Sequence, residues 1–229
     1  RELNICKLNS ADVFIAAGLP LTWVAEQKDD FKKYLFRNET VDYTFKGRDY
    51  HIKIVGADVY PQGFAAIINN IKDFSGVNML CDIGNGTMNV MFVNDKKPDP
   101  RRCYTEKFGT HQCMLEIKEQ LMRIYHTEPP EATITRVLRF GTADIDESYL
   151  KTIWDTATEY VGDIFRKLRE HGYDPKLMRL YVVGGGGCLI RNFGSFDENR
   201  VTINEDICAT AKGYERMLEM KLLRSGGKV

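Results

Sequence analysis

The sequence predicts an α/β protein with two lobes, each built on a parallel or mixed sheet. Apolar, β-branched runs alternate along the chain with long segments of helical periodicity, the pattern of strands connected by helices. The length of 229 residues is enough for one large or two small domains. Glycine-rich corners follow two of the apolar runs, and no internal repeat or low-complexity linker interrupts the pattern.

The first third of the chain contains the elements of one lobe. Residues 11–19 form an apolar run that predicts a strand covered on both faces. Helical spacing of apolar side chains predicts a helix over residues 22–37. Residues 41–45 and 50–60 alternate and are rich in β-formers, so they predict a hairpin. An apolar helix is then expected from Pro61-Gln62-Gly63 to about residue 73.

The middle of the chain begins the second lobe. Residues 79–93 predict two strands around a glycine corner, and residues 94–100 predict a turn before a third strand at 102–106. A helix is predicted over residues 112–125. Its buried side is expected to consist of Leu115, Ile117, Leu121, Met122 and Ile124.

The last part of the chain adds helices and two more strands. A short helix over 131–140 precedes the longest periodic segment, in which apolar residues between 150 and 168 recur at helical spacing. A buried strand at 180–183 leads directly into four glycines. A short strand at 201–203 and a helix over 207–223 follow.

The composition argues against direct binding to nucleic acid or to a membrane. The 32 basic residues balance 32 acidic ones, so the chain lacks the positive field that recruits phosphates. No stretch approaches the roughly 18–20 apolar residues that span a bilayer. The six cysteines are scattered without a C-x-x-C pair, so we expect most of them to be buried in a protein of a reducing compartment. A cytoplasmic location is therefore expected.

An acidic residue and a Gly-x-Gly turn mark the end of one predicted strand, in the sequence Asp82-Ile83-Gly84-Asn85-Gly86-Thr87. Glycines let backbone N–H groups approach an anion, because no Cβ stands in the way. A carboxylate at the same corner can hold Mg²⁺ directly or through its waters. The corner is compatible with phosphate binding, and an ordinary hairpin turn capped by Asp82 is the alternative.

Four glycines, Gly184-Gly185-Gly186-Gly187, follow the strand at 180–183. Each glycine within regular structure costs roughly 0.5–1 kcal/mol, so a plain β-to-α turn, the alternative, leaves their number unexplained. The motif is not a Walker A loop, because no Gly-Lys-Ser/Thr follows, and Leu189 occupies the last glycine position of a G-x-G-x-x-G turn. Close approach of a flat ligand explains the glycines better, so we expect nucleotide binding here.

The two corners, in this order, resemble the phosphate-2 and adenosine motifs of the superfamily of actin, heat-shock proteins and sugar kinases. The flanking segments narrow the resemblance. They are residues 11–21 (ADVFIAAGLPL), Gln27-x-x-x-Phe31-x-x-Tyr34-Leu35, Val59-Tyr60-Pro61-Gln62-Gly63-x-Ala65-Ala66 and Ala209-x-Ala211-x-Gly213-Tyr214. Together they look like the ParM/StbA type of bacterial actin, which segregates plasmids, over about residues 11–220. The implied fold is an actin-like ATPase with two ribonuclease-H-like domains.

The resemblance implies where ATP and Mg²⁺ would bind. Asp82 would hold the Mg²⁺ or its water shell. The backbone of Gly84, Asn85, Gly86 and Thr87 would wrap the β- and γ-phosphates, and the glycines at 184–187 would face the adenosine. The nucleotide is expected in a cleft between the two domains, where ligand sites are common.

Four further residues receive roles through the resemblance. Gln62 stands where the family orients the attacking water, and Asn89 stands where eukaryotic actin has a histidine that helps to order it. An amide is not a strong base, but positioning water is most of what a dissociative phosphoryl transfer requires. Lys118 and Glu119 resemble a pair that reaches the ribose and base in actin.

One motif of the family has no match in this sequence. The family begins with a strand and an Asp-x-Gly-Asn-type phosphate-1 loop, whereas the first acid–glycine corner here is at Asp82. We therefore expect the first three strands of domain I to be absent and its sheet to have an exposed edge. The expected boundaries are 1–78 for a partial domain I, 79–204 for domain II and 205–229 for a helix that returns to domain I.

The function implied by the resemblance is an actin-like ATPase that forms filaments with ATP and hydrolyses it within them. It would move plasmid or mobile-element DNA through a DNA-binding adaptor protein. Because the phosphate-1 loop is unmatched, we expect this chain alone to have little activity. Two alternatives stay open: a small-molecule kinase of the same superfamily, in which Asp82 would act on a substrate hydroxyl, and a non-catalytic nucleotide-binding or scaffold protein.

Overall fold

The computed structural model describes residues 7–224, except for the side chains of Leu21 and Thr22. These residues fall into two units. One runs to Ile68 and resumes at Ala211, and the other is Asn69–Thr210. Cys6 lies outside the described residues. Within residues 7–224, no helix is both long and apolar enough to cross a membrane.

The first unit is built on a three-stranded sheet. Its strands are β1 (Ser10–Leu19), β2 (Thr40–Phe45) and β3 (Arg48–Pro61), in the order β1-β3-β2. β1 is parallel to β3, and β2 is antiparallel to it. The predicted hairpin is confirmed, with a tighter turn than expected. Lys46 and Gly47 both have positive φ (53° and 72°), as a two-residue type I′ turn requires.

The first strand is less covered than its sequence predicts. Every residue of β1 is half-buried or exposed, so the expectation of a strand covered on both faces is wrong. Among the described residues β1 pairs with β3 and with no other strand, so it lies at an edge of the sheet. Its apolar run therefore reflects partial cover rather than full burial.

Helical segments surround this sheet. Helix α1 (Leu21–Leu35) follows β1 as predicted, but the expected helix after Pro61 is a 3₁₀ helix, Phe64–Asp73. The last long helix of the chain packs against that 3₁₀ helix at Gly213. A Cβ at this position would lie 1.9 Å from the backbone oxygen of Ala65, so only glycine allows the contact.

The second unit is built on a five-stranded sheet. Its strands are β4 (Val77–Ile83), β5 (Met88–Asn94), β6 (Lys97–Glu106), β7 (Arg179–Val183) and β8 (Val201–Ile203). They lie in the order β6-β5-β4-β7-β8. β5 alone of these five runs opposite to the others, since β4 and β6 are antiparallel to it and β7 and β8 are parallel to β4. This is the ribonuclease-H-type arrangement that the family resemblance implies.

The turn before β6 is shorter than predicted. It consists of Asp95 and Lys96, which have positive φ, and the strand resumes at Lys97 instead of residue 102. β6 passes through Pro98 and Pro100 because it is an edge strand, where a missing N–H donor breaks no ladder.

Five helices complete the fold. They are α2 (Thr110–Tyr125), α3 (Glu131–Phe140), α4 (Glu147–Glu170), α5 (Gly187–Phe193) and α6 (Ala209–Arg224). One face of β4 and β5 packs with α2 to α5 in a continuous apolar core. The predicted helices over 131–140 and around 150–168 are confirmed as α3 and α4. α6 begins two residues later than predicted, after an exposed Ile207.

The buried face of α2 differs from the prediction. Ile117 and Leu121 are buried as expected, but Cys113 completes the stripe at four-residue spacing. Three residues expected inside are instead about half exposed: Leu115, Met122 and Ile124. The error came from not counting cysteine as a small apolar residue.

The cysteines are less uniformly buried than expected. Cys81 and Cys113 are buried, Cys103 and Cys188 are half-buried, and Cys208 is exposed. All five described cysteines are free thiols.

A buried carboxylate links three elements of the first unit. Asp58 of β3 has a side chain only 2% exposed, and it accepts a hydrogen bond from Lys221 of α6 at 2.5 Å. Lys28 of α1 lies 3.6 Å from the same carboxylate. Burial alone would raise the pKa of Asp58, but the Lys221 hydrogen bond, the N–H of Val59 and the two ammonium charges outweigh it, so the pKa is lowered.

We predict that Asp58→Asn destabilises the protein by about 2 kcal/mol at pH 7, because a hydrogen bond to a charged group is lost. The lowered pKa means that this stabilisation is present above the unfolded-state pKa of about 3.9 and is lost as the pH falls through the folded-state value. The difference from wild type in urea unfolding should therefore shrink below pH 4. Asp30→Asn, which removes an exposed partner of Lys33, is the control and should change stability by less than about 0.5 kcal/mol. Equal effects of the two changes would contradict the role given to Asp58.

Candidate functional site

The first glycine corner joins β4 to β5 and is held against the start of α2. The N–H of Gly84 donates to the oxygen of Thr87 at 2.8 Å, which closes the corner. Backbone N–H groups of Thr110 and His111 donate to the oxygens of Gly84 and Asn85. The corner and the first turn of α2 therefore form one connected backbone structure.

Gly109, just before α2, permits this close approach. A Cβ there would lie 2.2 Å from the backbone oxygen of Asn85. The buried hydroxyl of Tyr160 donates to the Gly109 oxygen at 2.8 Å and anchors the same point to the core. The geometry of the corner is thus fixed from α4 as well as from α2.

The second glycine corner follows β7 and lies directly beside the first. β4 and β7 are parallel neighbours with Asp82 opposite Val183, so both strands end at the same edge of the sheet. Gly184 has φ +86°, and a Cβ on it would lie 2.5 Å from Oδ1 of Asp82. The N–H of Gly186 donates to the oxygen of Ile83 at 2.9 Å. Residues about a hundred positions apart in sequence therefore form one surface.

The structural requirement for glycine differs among these four positions. Gly184 needs its positive φ, and a Cβ on Gly186 would lie 2.2 Å from the side chain of Ile83. A Cβ on Gly187 would lie 3.0 Å from Ile203. Gly185 has neither a positive φ nor any atom within 4 Å of the Cβ position. The packing of the described residues therefore leaves Gly185 unexplained.

A cavity of about 380 Å³ opens beside the two corners. Asn85, Gly184 and Gly185, three of the residues predicted to bind nucleotide, contribute to its wall. Ten further residues line it and were not predicted to bind nucleotide: Thr110, Met114, Thr135, Leu138, Arg139, Cys188, Leu189, Arg191, Glu205 and Ile207. Helical periodicity identified the helices that carry most of them, but periodicity does not show which face of a helix meets a cavity.

Asp82 is the acidic side chain of this surface. It is half-buried, and burial raises the pKa of its carboxyl. No hydrogen bond or ion pair to the carboxylate occurs among residues 7–224. No cluster of three potential metal ligands occurs in that part of the chain either. A divalent cation at Asp82 would therefore take its other ligands from phosphate or water, as Mg²⁺ commonly does.

Asn89 lies next to Asp82 on the same face of the sheet. The two residues are directly opposite each other in the β4–β5 ladder, so their side chains leave the sheet on the same side. Oδ1 of Asn89 accepts a hydrogen bond from the Thr105 hydroxyl at 2.8 Å. The structure thus brings the predicted residues Asp82 and Asn89 together.

Lys118 and Glu119 are on α2 but do not line the cavity. Lys118 follows Thr110 and Met114 at four-residue spacing, and its ammonium contacts Glu128 at 2.7 Å and Glu131 at 2.9 Å. The hydrogen bonds that Lys118 donates to these two carboxylates raise the pKa of its ammonium. The ammonium is thus held by protein carboxylates, and Glu119 is exposed.

Gln62 belongs to the first unit. It is exposed and follows β3, where its N–H donates to the oxygen of Leu19 at 2.8 Å. Leu19 and Pro61 are paired at the ends of two parallel strands, so Gln62 lies at the carboxyl edge of its sheet. Asp82 occupies the corresponding edge in the second unit.

Known structures resemble the chain in fold. No protein-family model matches the sequence, and no curated protein matches it. An archaeal actin homologue in complex with ADP superposes with a TM-score of 0.69 at 19% identity, covering 93% of this chain and 73% of that one. ParM of Bacillus thuringiensis with ATP gives 0.71 at 15% identity, covering 96% and 70%. An Alp12 filament structure gives 0.72 at 15% identity, covering 93% and 69%.

The chain has the actin-like fold. Identities this low show the fold and do not transfer an activity. The five-stranded sheet order and the two adjacent corners are the features on which a functional proposal for this actin-like chain can rest.

We predict that Asp82→Asn raises the melting temperature of the actin-like chain by a few degrees at pH 7 without nucleotide. A carboxyl whose folded-state pKa is raised loses stability as the pH rises from the unfolded-state value through the folded-state value, and the neutral amide avoids this loss. The gain should vanish below about pH 3, where the carboxyl is protonated in both states. Glu198→Gln, at an exposed position, should show no such pH dependence. A lower melting temperature for Asp82→Asn at pH 7 would contradict the prediction.

Proposed function

We propose that this chain is an actin-like ATP-binding protein whose nucleotide site is formed by the two adjacent glycine corners. One observation carries the proposal: Asp82, the 84–87 corner and the 184–187 corner meet at the end of parallel strands β4 and β7. Ligand sites of α/β proteins lie at the carboxyl ends of such strands. Solved structures of the same fold contain ADP and ATP, which supports a nucleotide as the ligand.

Within this site each corner has a separate task. The backbone N–H groups of the 84–87 corner would receive the phosphates, and Gly185 and its cavity would receive the adenosine. Asp82 would hold Mg²⁺ directly or through its waters. The cation would neutralise phosphate charge and would give the Asp82 carboxylate a partner of opposite charge. Lys118 and Glu119 keep their proposed role at the ribose and base only if nucleotide releases Lys118 from Glu128 and Glu131.

The proposed chemistry is hydrolysis of ATP. Gln62 would orient the attacking water, and Asn89, beside Asp82, would help to order it. The phosphoryl group needs positioning and charge stabilisation more than a strong base, so two amides suffice for this task.

The proposed biological role is ATP-dependent assembly into filaments that segregate plasmid or mobile-element DNA. A filament structure among the relatives of the same fold supports self-association. The balanced charge of the chain supports contact with DNA through a basic adaptor protein rather than directly. The scattered cysteines, which fit a reducing compartment, support the proposal of a cytoplasmic protein.

A non-catalytic nucleotide-binding protein is the second candidate. It is favoured by the lack of any acid–glycine corner before Asp82 within these 229 residues. We therefore propose that the chain alone binds nucleotide but hydrolyses it very slowly. Concentration-dependent light scattering on addition of ATP identifies filament formation, and a phosphorylated small molecule would identify a kinase.

We predict that ATP with Mg²⁺ raises the melting temperature of the 229-residue chain, by linkage to the folded state. Asp82→Asn should lose the Mg²⁺-dependent part of the shift, measured against ATP with EDTA. Gly185→Val should lose the whole response, because its side chain enters the cavity without meeting protein atoms. Gly186→Val is a poorer test, since it would disturb Ile83.

Gly162→Ala provides the control for these variants. Gly162 also has open space at its Cβ position, but it lies in α4 away from this cavity. It should keep the full response to ATP. An unchanged shift in both Asp82→Asn and Gly185→Val would rule out this site.

We predict that Gln62→Ala leaves the thermal shift with ATP unchanged and slows phosphate release by a factor on the order of 10² to 10⁴, the usual span for a group that positions a proton transfer. The measurement is phosphate release in any preparation of the protein that hydrolyses ATP. Gln27→Ala, an exposed amide on α1, is the matched control. Wild-type turnover in Gln62→Ala would assign Gln62 a purely structural role.

A further inference from the structure

A second cavity lies at the opposite end of the second unit. Its volume is about 480 Å³, within the usual range for small-molecule pockets. Tyr173 and Pro175, before β7, and Arg200, at the start of β8, line it. The proposed nucleotide cavity is instead lined by residues that follow β7 and β8. The two cavities therefore lie at opposite ends of strands β7 and β8.

Within the described part of the chain, neither packing nor backbone conformation requires a glycine at position 162. It lies inside the 24-residue helix α4, where glycine costs about 1 kcal/mol relative to alanine. A Cβ on it would meet no atom within 4 Å, and its φ is not positive. Gly162 lines the second cavity, so a close approach of something other than the described chain accounts for the glycine.

The interior of this cavity is lined by apolar side chains that are themselves buried in the core. Val161 and Phe165 of α4 and Phe193 at the end of α5 line it, and all three side chains are at least nine-tenths buried. The ring of Phe196 lies 6.3 Å from that of Phe165 and closes one wall. An aromatic or branched aliphatic group would replace water here favourably.

The rim carries net positive charge. Arg169 lies two turns of α4 beyond Gly162, and no hydrogen bond or ion pair to its guanidinium occurs among residues 7–224. Arg200 donates to the backbone oxygen of Lys176, which is an uncharged acceptor. Asp197 also lines the rim, but its Oδ1 already accepts two hydrogen bonds from Asn199. Two cations against one carboxylate leave an excess of one positive charge.

We propose that this cavity binds a small organic monoanion, with an apolar body over Gly162 and its charged group between Arg169 and Arg200. The missing side chain at Gly162 leaves room for the ligand, and the aromatic side chains give it an apolar surface. The guanidinium of Arg169 selects for a negatively charged ligand. The site is separate from the proposed nucleotide site and does not depend on it.

The test uses two fluorescent probes of nearly equal shape. 1-Anilinonaphthalene-8-sulfonate carries one negative charge, and N-phenyl-1-naphthylamine is its uncharged analogue. The 229-residue chain should bind the anionic probe at one saturable site and prefer it by up to about fivefold, the range for a partly exposed ion pair. Gly162→Leu should abolish binding of both probes while the melting temperature stays equal or rises, since leucine is a better helix former.

Two variants separate charge from shape. Arg169→Gln should remove the preference for the anionic probe and keep the uncharged one. Arg166→Gln is the matched control, because Arg166 lies on the same helix, pairs with Asp163 and does not line the cavity. Gly185→Val should leave both probes unaffected. Unchanged probe binding in Gly162→Leu, or an unchanged preference in Arg169→Gln, would overturn the proposal.

Discussion

The parallel pairing of β4 with β7 is the contact on which the candidate site depends. It joins segments about a hundred residues apart and sets Asp82 opposite Val183, so that both strands end at one edge. A shift by one residue would turn Asp82 to the other face of the sheet, into the apolar core. The close approach of the Gly184 backbone to Asp82 and the hydrogen bond from Gly186 to Ile83 are both made in this register. The positions of the side chains in the candidate site therefore depend on the register of β4 and β7.

This edge contains groups that folding alone does not favour. Among residues 7–224, the partly buried carboxylate of Asp82 has no hydrogen-bond or ion-pair partner, and Gly185 has no packing role. Asp58 shows the contrast, because its carboxylate is more deeply buried yet is satisfied by Lys221, Lys28 and a backbone N–H. Asp58 belongs to the stability of the fold. Among residues 7–224 the carboxylate of Asp82 lacks such partners, which supports its proposed role in holding a cation.

The sequence predicted the order of elements well because each has a local signal. Alternation gave the hairpin of β2 and β3, and helical periodicity gave α3 and α4. Burial was predicted less well. β1 is apolar but lies at an edge of its sheet, and the buried face of α2 contains Cys113 instead of Leu115. Asp82 and the two glycine corners were found from the sequence, whereas Arg139 and Arg191 were not. Arg139 and Arg191 lie beside the cavity because of the way α3 and α5 pack, and a local sequence pattern does not predict helix packing.

Glycines with no structural reason are informative in this fold. Gly184 and Gly109 are explained by φ or by a neighbouring backbone, and their replacement would disturb the chain itself. Gly86, Gly162 and Gly185 have neither a positive φ nor an atom within 4 Å of the Cβ position. Gly86 belongs to the 84–87 corner, and the other two each line a cavity. Since glycine weakens regular structure, its presence where the chain would tolerate a side chain points to an approach from outside the chain. The same reasoning that supports a nucleotide at Gly185 therefore supports a second ligand at Gly162.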